Sequence, residues 1–391
     1  MTHLRLVLGN LAVFGALLLV CMVAGEVAVR LAPTPNDRVE RDGRVKYRFN
    51  PYRSDGLLGW SHRPDWETVH ETGDFRVTVR TDDRGLRQTP ARDPAEPGST
   101  YRILVIGDSF AFGWGVEDDE TFAVRLAERL APPRGATRVE VLNAGVAGWS
   151  ADHYGLFVKG RGLDLAPDLI LVVPSENDLS DLAAARLTLD EEGVPVRTAS
   201  SLRMIDQNGR MRYVDEGPYA LPSFTFPGQA WLTEHSALYH WLRYRLARIW
   251  VGWAQGRIED AQKAQSGEPP DGPIETLTAD EVARGLWTGR RFQLRYHQYL
   301  LADLARAAQA RGIAVRTLLV TRKAAAEPEG SVLRALRSAC LEDATCIASD
   351  DLLAGEEADD VFFPQDGHWT PRGHEVIAQG LSEFLEPLPV E

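Results

Sequence analysis

The chain has 391 residues, 44% of them hydrophobic and 25% charged. This composition fits one large domain with insertions or two modest domains, and it excludes a chain that is disordered over most of its length. The formal net charge of −13 at pH 7 argues against sequence-independent binding of nucleic acid, because such binding needs a basic surface.

The first predicted element is an apolar helix. The run LVLGNLAVFGALLLVCMVAG, residues 6–25, carries no charge and is long enough to cross a bilayer. We predict an uncleaved membrane anchor within residues 1–32. A cleaved signal peptide is one alternative, although its apolar region is usually shorter and no Ala-x-Ala site follows; a buried core helix is another. The short segment before the run predicts a cytoplasmic N-terminus, with the rest of the chain in the periplasm or at the cell surface.

Residues 33–100 are rich in Pro, Asp and Arg. Within them the alternating run FRVTVRT predicts one strand. We predict that this part is a stalk or a small β-containing segment.

From residue 101 onward, apolar strand-forming runs alternate with helical stretches. In TFAVRLAERL, the residues Phe122, Leu126 and Leu130 share one helix face. Five runs are predicted as strands: YRILVIG, RVEVLNAG, PDLILVVPS, IAVRTLLVT and TCIASD. This alternation is typical of a parallel sheet with helices on both faces, so we predict one doubly wound α/β domain over residues 101–391.

An insertion at about residues 186–285 interrupts the alternation. It begins with a hairpin-like piece, GVPVRTASSLRMIDQNGRMRYVDE, and continues with an aromatic amphipathic helix near HSALYHWLRYRLARIWVGW. We favour packing of this helix against the domain; contact with the membrane surface or with a substrate chain are the alternatives.

The cysteines are consistent with an extracytoplasmic domain. Cys21 lies in the apolar run, while Cys340 and Cys346 are close in sequence (CLEDATC). In an oxidising compartment the latter two could close a small loop, and two unpaired cysteines are the alternative.

Polar residues follow the predicted strands at the edge of the sheet where ligands bind in open α/β folds. Acyl transfer needs a nucleophile, a base, a group that orients the base and hydrogen-bond donors. The residues at this edge are Ser109 after the first strand, Asn143 and Gly145 after the second, Asn177 after the third, and Asp366 and His368 in the last loop.

These residue types suggest specific roles. A serine at a strand end mostly caps the next helix, so Ser109 alone is a weak signal. His368 is a candidate general base, and Asp366, two residues earlier, could hold its ring in one tautomer. Backbone N–H groups of Ser109 and Gly145 and the side-chain amide of Asn177 are candidate oxyanion donors.

The order GDSF, NAGVAG, END and DGHW resembles the SGNH (GDSL-type) hydrolase superfamily over about residues 101–185 and 290–391. The resemblance implies a flavodoxin-like three-layer core, Ser109 as nucleophile, Gly145 and Asn177 in the oxyanion hole, and Asp366 and His368 completing a triad. Two blocks depart from the family pattern. Ser175 replaces a glycine in the Asn block, and the last block is Asp-x-His-Trp rather than Asp-x-x-His. With a membrane anchor, this form looks more like the polysaccharide O-acetylation branch, typified by the alginate acetylation proteins.

The sequence therefore predicts a membrane-anchored serine esterase or acylhydrolase. It would act on acyl esters, chiefly acetyl esters, of an envelope polysaccharide or lipid. A polysaccharide O-acetyltransferase and a non-catalytic carbohydrate-binding envelope protein are the alternatives. No cofactor is implied. A metal site from Asp366, His368 and His374 lacks an HExxH pattern, and a phosphate site lacks a Gly-Lys-Ser/Thr signature.

Overall fold

The fold was taken from a computed structural model, which describes residues 2–31, 38–41, 44–47, 52–55, 57–89, 100–183, 185–189, 195–200, 203–205, 211–213, 227–228, 231–232, 235–239, 241–242, 270, 272–321 and 332–388. The strands are β1 Arg38–Arg41, β2 Arg44–Tyr47, β3 Tyr52–Asp55, β4 Gly59–His62, β5 Glu67–Glu71, β6 Arg76–Arg80, β7 Thr100–Gly107, β8 Arg138–Asn143, β9 Leu169–Val173, β10 Ala185–Leu189, β11 Pro195–Ser200, β12 Arg203–Ile205, β13 Met211–Tyr213, β14 Ala314–Leu319 and β15 Cys346–Ala348. The helices are α1 Thr2–Leu31, α2 Ser109–Phe112, α3 Phe122–Arg129, α4 Ala151–Gly160, α5 Asp178–Ala183, α6 Ala279–Thr288, α7 Arg290–Gln309, α8 Val332–Glu342, α9 Ser349–Leu352, α10 Ala358–Val361 and α11 Pro371–Leu385.

The central sheet has five parallel strands in the order β15-β14-β9-β7-β8. Each predicted strand of the α/β domain is present, so the predicted fold class is confirmed. Strand β7 lies between β9 and β8 and is buried on both faces: Leu104 and Ile106 belong to one apolar cluster, Ile103 and Val105 to the other. Near-continuous apolar runs are expected for parallel strands covered on both faces.

Helices cover the sheet on both sides and complete three layers. On one face, α4 and α7 contribute Tyr154 and Leu300 to the first cluster. On the other, α3 and α11 contribute Leu126 and Ile377 to the second. The predicted helix face of α3 is confirmed, because Phe122, Leu126 and Leu130 are all buried.

The strand order places a binding crevice beside β7. The chain passes from β7 to β8 on one side, and then to β9 on the other side of β7. Such a reversal opens a crevice at the C-terminal ends of the two strands where it occurs, here β7 and β9. Ser109 follows β7 and Asn177 follows β9, so the topology brings the GDSF and END blocks to one crevice.

The segment predicted as a stalk or small β-containing piece packs directly on the α/β domain. Strand β6 lies where FRVTVRT predicted one, and it pairs with β5. Trp60 is buried, its ring nitrogen donates to the carbonyl of Ala147, and Trp149 donates to the carbonyl of Trp60. Arg87 donates its backbone N–H to the carbonyl of Asn143, and its buried guanidinium pairs with Asp118. These contacts attach residues 57–89 to the C-terminal edge of the sheet.

Four other features can be compared with the sequence predictions. In the insertion, β12 pairs with β13 within the predicted hairpin-like piece, and β11 of that piece pairs with β10, which precedes it; both pairs are antiparallel. The aromatic helix falls mostly on residues 243–253, outside the described residues.

The long helix predicted before β14 is divided in two by Gly289, which separates α6 from α7. Cys340 and Cys346 form a disulfide.

Among the described residues, helix α1 contains one stretch, residues 13–31, that is apolar and long enough to span a membrane, and no residue of this stretch is fully buried. A membrane span and a signal sequence both have this character.

Candidate active site

Ser109 stands at the turn where β7 becomes α2. A Cβ atom on Gly107 would lie 2.6 Å from the carbonyl oxygen of Val173, so only glycine allows the two strands to approach this closely at their ends. Asp108 caps α2, because its Oδ1 atom accepts the backbone N–H of Phe110 at 2.9 Å. The turn therefore leaves the Ser109 side chain partly exposed at the crevice.

Ser109, His368 and Asp366 are joined by two hydrogen bonds. His368 Nε2 lies 2.7 Å from Ser109 Oγ, and His368 Nδ1 lies 2.5 Å from Asp366 Oδ1. A carboxylate oxygen can only accept, so Nδ1 carries the proton and Nε2 is the acceptor for the serine hydroxyl. The side chains of His368 and Asp366 are 20% and 18% exposed, so the pair is sheltered but open to solvent on one side.

Asp366 is held in an ionised state. Burial disfavours its charge, but hydrogen bonds from His368 and from Trp114 Nε1, the latter at 3.2 Å, outweigh burial and hold the pKa of Asp366 below its ordinary value. The loop itself is fixed by Asp74, whose Oδ2 atom accepts the backbone N–H groups of Gln365 and Asp366 at 2.9 and 2.7 Å.

Aromatic rings surround the His368 imidazole. The ring centroid of Phe110 lies 4.6 Å from it and that of Trp114 5.7 Å. Trp369, the buried residue of the DGHW block, packs edge-on against Phe110 at 4.9 Å. These rings restrict the rotation of the imidazole, and they give DGHW a packing role that a sequence motif alone does not show.

Asn177 reaches the same crevice, but both hydrogens of its amide are taken. Its Nδ2 atom donates to Asp108 Oδ2 and to Asp181 Oδ2, each at 3.0 Å. Its Oδ1 atom accepts from Ser175 Oγ at 2.7 Å. The contact with Ser175 therefore helps to fix the orientation of the Asn177 amide.

Ser175 also joins two buried carboxyl groups. Its Oγ atom lies 2.7 Å from Asp108 Oδ2 and 3.2 Å from Asp178 Oδ1, in addition to its contact with Asn177. A hydroxyl can donate only one proton, so it cannot satisfy three acceptors. A remaining contact with Asp108 or Asp178 is attractive only if that acid carries a proton of its own, which it donates to the serine oxygen.

The surroundings of Asp108 and Asp178 also favour a protonated carboxyl group. Burial raises the pKa of Asp178 well above its ordinary value, and the neighbouring Asp108 and Asp181 raise it further. Burial also raises the pKa of Asp108, against hydrogen bonds from Ser175 and Asn177 that lower it. Tyr154 donates to Asp178 Oδ1 at 3.0 Å. Tyr154 belongs to the apolar cluster on the side of the sheet that α4 covers, so Asp178 is buried on that side.

The loop after β8 places its two glycines differently. Gly145 is buried, its N–H donates to Asn143 Oδ1 at 3.0 Å, and an added Cβ would lie 2.3 Å from the backbone nitrogen of Phe112. Gly145 thus allows close packing of this loop on α2. Gly148 is partly exposed at φ 79°, and its N–H has no acceptor among the described residues. The N–H of Ser109 likewise has none among them.

His374 is separate from the hydrogen-bonded group of Ser109, His368 and Asp366. It is fully buried in the first turn of α11, and its Nδ1 atom accepts the backbone N–H of Phe122 at 3.1 Å. Burial lowers the pKa of His374 to about 3, so it is a neutral structural acceptor. Within the described ranges, no three His, Cys, Asp or Glu side chains are grouped so that they could hold a metal ion.

Sequence reasoning did not identify Asp74, Trp114 or Asp108 as parts of the site. Asp108 and Trp114 stand within the GDSFAFGWG stretch, where the acid before the serine was a signal. Asp74 had no signal, because its contact with the last loop exists only in the folded chain.

Comparison with known proteins gave matches among solved structures only: no family model and no curated protein matches the chain. The chain is similar to a member of the lipolytic protein G-D-S-L family from Veillonella parvula DSM 2008, with 11% identity and a TM-score of 0.35 over 74% of this chain and 100% of that one. It is also similar to an acetylxylan esterase from Geobacillus stearothermophilus, solved as a catalytic mutant, with 10% identity and a TM-score of 0.35 over 75% of this chain and 97% of that one. A two-domain esterase active on acetylated mannans has 11% identity and a TM-score of 0.34 over 74% of this chain, which spans 50% of that chain.

Proposed function

We propose that the chain is a membrane-anchored serine hydrolase of the SGNH type that cleaves acyl esters, chiefly acetyl esters, outside the cytoplasm. The observation that carries the proposal is the pair of hydrogen bonds that join Ser109 to His368 and His368 to Asp366, at 2.7 and 2.5 Å. A nucleophile, a base and an orienting acid in this order are the parts that acyl transfer requires.

The mechanism follows from the donor and acceptor roles. Ser109 Oγ attacks the ester carbonyl while its proton passes to His368 Nε2, and Asp366 stabilises the imidazolium that forms. His368 then returns the proton to the departing alcohol, which leaves an acyl group on Ser109. Water, activated by the same imidazole, attacks the acyl-enzyme, and the carboxylic acid is released as Ser109 regains its proton.

The oxyanion of the tetrahedral intermediate needs donors that are not already used. Supporting the proposal, the N–H of Ser109 has no acceptor among the described residues. We assign the second donor to the N–H of Gly148 in place of Gly145, because the N–H of Gly145 is held by Asn143. Asn177 supplies the third donor if its amide exchanges Asp181 for the ester oxygen.

A sugar hydroxyl in place of water would make the enzyme an O-acetyltransferase. Partly exposed aromatic rings favour a saccharide partner: Phe75 packs on Phe363 with ring centroids 5.0 Å apart, next to Trp114 at the catalytic loop. The flat faces of such rings suit the apolar faces of sugar rings. An acetylated envelope polysaccharide is therefore the proposed substrate class, with a lipid ester as the second.

Placement outside the cytoplasm is supported by two observations. Helix α1 exposes apolar side chains between Val13 and Leu31, and the Cys340–Cys346 disulfide suits an oxidising compartment. With the N-terminus in the cytoplasm, the α/β domain lies in the periplasm or at the cell surface.

The full-length protein, purified in detergent, tests the proposal with a chromogenic acetyl ester. Ser109→Ala and His368→Ala are each expected to remove nearly all turnover. Ser382→Ala, a serine on the exposed surface of α11, is the matched control and should keep the native rate. Native turnover in Ser109→Ala would overturn the assignment of the nucleophile. Adding a saccharide acceptor separates the two reactions, because a transferase forms acetylated saccharide at the expense of free acetate.

A further inference from the structure

The described part of the insertion contacts α1 at one place, just beyond the apolar run. The carboxylate of Glu26 accepts a hydrogen bond from Ser236 Oγ at 2.8 Å and from the two following backbone N–H groups at 2.8 and 2.9 Å. Arg30, which pairs with Glu26, donates to the carbonyl of His235 at 2.8 Å. A short turn of the insertion is therefore capped by a side chain of the anchor helix.

The position of this contact along α1 sets its level relative to a bilayer. The helix rises about 1.5 Å per residue, so residues 26–30 occupy roughly 6 Å beyond the uncharged run. The polar layer on each side of the hydrocarbon core is roughly 5–8 Å thick. When residues 6–25 fill the hydrocarbon core, the hydrogen bonds of Glu26 and Arg30 hold residues 235–238 at the level of the lipid headgroups.

Large apolar side chains beside this contact face outward. Trp231 is 61% exposed, Trp241 37% and Leu242 45%. The Trp231 ring stacks on the ring of His235, with centroids 4.8 Å apart, so it is tied to the residue that Arg30 holds. Tryptophan is enriched at membrane interfaces because its ring is apolar while its N–H can bond to water or headgroups.

We propose that residues 231–232, 235–239 and 241–242 form an interfacial anchor, in which Trp231 and Trp241 enter the boundary between headgroups and acyl chains of the bilayer that α1 crosses. The inference rests on the membrane placement in the proposed function. It gives the catalytic domain two attachments to the membrane, α1 and this segment, which fix the orientation of the domain. It also assigns a lipid partner to Trp231 and Trp241.

A nitroxide label on the full-length protein in vesicles of phosphatidylcholine and phosphatidylglycerol tests the depth of residue 231. A Cys21→Ser background removes the free cysteine in the described chain, and the disulfide leaves the other two unlabelled. Trp231→Cys carries the label. Glu128→Cys, at an exposed position on α3, is the water-facing control. Leu17→Cys, in the apolar run, is the control for a membrane span. Collision rates are measured with oxygen, which concentrates in lipid, and with a nickel chelate, which stays in water.

The label at residue 231 is expected to lose most of its collisions with nickel relative to residue 128, and to lie shallower than residue 17. Glu26→Ala should restore nickel access at residue 231, because it removes the carboxylate that holds the turn. Equal nickel access at residues 231 and 128, with residue 17 protected, would overturn the interfacial anchor alone. Nickel access at residue 17 would overturn the span and the anchor together. Cooperative thermal unfolding shows that each variant is folded, independently of ester turnover.

Discussion

Asp74 and Asp366 are 292 residues apart in the chain, yet Asp74 Oδ2 accepts the backbone N–H of Asp366 at 2.7 Å. The same oxygen accepts the N–H of Gln365 at 2.9 Å. Asp74 lies in the turn between β5 and β6, so a hairpin that precedes the α/β domain in sequence fixes the loop that carries Asp366 and His368.

Asp74→Ala is expected to lower kcat by roughly 10- to 100-fold with a small change in KM. Hydrogen bonds to a charged acceptor are worth about 1.5–3 kcal/mol, and their loss lets the Asp366 loop move away from Ser109. Asp74→Asn keeps one acceptor oxygen and should lose less. Steady-state kinetics on the acetyl ester measure both. If kcat of Asp74→Ala equals that of the native protein, Asp74 does not position the loop.

Asp366→Asn is expected to lower kcat by roughly 10³- to 10⁴-fold. The amide can donate to His368 Nδ1 and so favours the tautomer in which Nε2 carries the proton and cannot accept the proton of Ser109. Trp114→Phe removes only the indole donor to Asp366 and is the milder comparison, with a loss of a few-fold. Single-turnover rates of acyl-enzyme formation distinguish the two. Similar rates for Asp366→Asn and native protein would exclude Asp366 from the triad.

The lowered pKa of Asp366 also predicts how stability depends on pH. A carboxyl whose folded-state pKa is depressed stabilises the fold above its unfolded pKa, near 3.8, and this contribution is lost as pH falls through the folded-state value. The difference in unfolding free energy between native protein and Asp366→Asn should therefore be constant from pH 7 to about 5 and shrink only below about 4. Denaturant titrations across this range measure it. A difference that already shrinks between pH 7 and 5 would contradict the assignment.

Asn177→Ala is expected to lower kcat by roughly 10²- to 10³-fold, the usual loss for one oxyanion donor. Asp181→Ala removes only one of the two carboxylates that hold the amide, and it should keep kcat within a few-fold of native. An unchanged kcat in Asn177→Ala would give Asn177 a structural role, as the clamp between Asp108 and Asp181.

Asp178→Asn tests the extra proton at the buried carboxyl pair. The raised pKa of Asp178 means that the folded state binds a proton that the unfolded state releases above about pH 3.8, so the native protein loses stability as pH rises. The asparagine side chain is neutral at all pH values. The free energy of unfolding of Asp178→Asn, relative to that of the native protein, should rise by up to about 1.4 kcal/mol per pH unit above pH 4, until the carboxyl pair ionises. Parallel stability curves for the two proteins from pH 4 to 7 would show that the pair holds no such proton.

Sequence patterns predicted the parallel sheet, its helices and the crevice residues Ser109, Asn177, Asp366 and His368. The reason is local: apolar runs with strand or helix period bury themselves in only a few ways, and parallel connections bring strand ends to one edge. The sequence was less informative about which glycine N–H is free to act as an oxyanion donor. The loop NAGVAG offers two glycines, and only the packed structure shows that the N–H of Gly145 is donated to Asn143 while that of Gly148 has no acceptor among the described residues.

The sequence by itself determined the order of the elements, the apolar N-terminal helix and the residue types of the site. Tertiary structure decided which atoms are in contact. Asp74 contacts the last loop, and the side chains of Phe110 and Trp114 pack on His368. The single hydroxyl of Ser175 lies among three acceptors. These contacts join residues far apart in the chain, and their energies depend on burial and on distances of a few tenths of an ångström. The periodicity and composition of short stretches of sequence carry no information about burial or about distances between residues that are far apart in the chain.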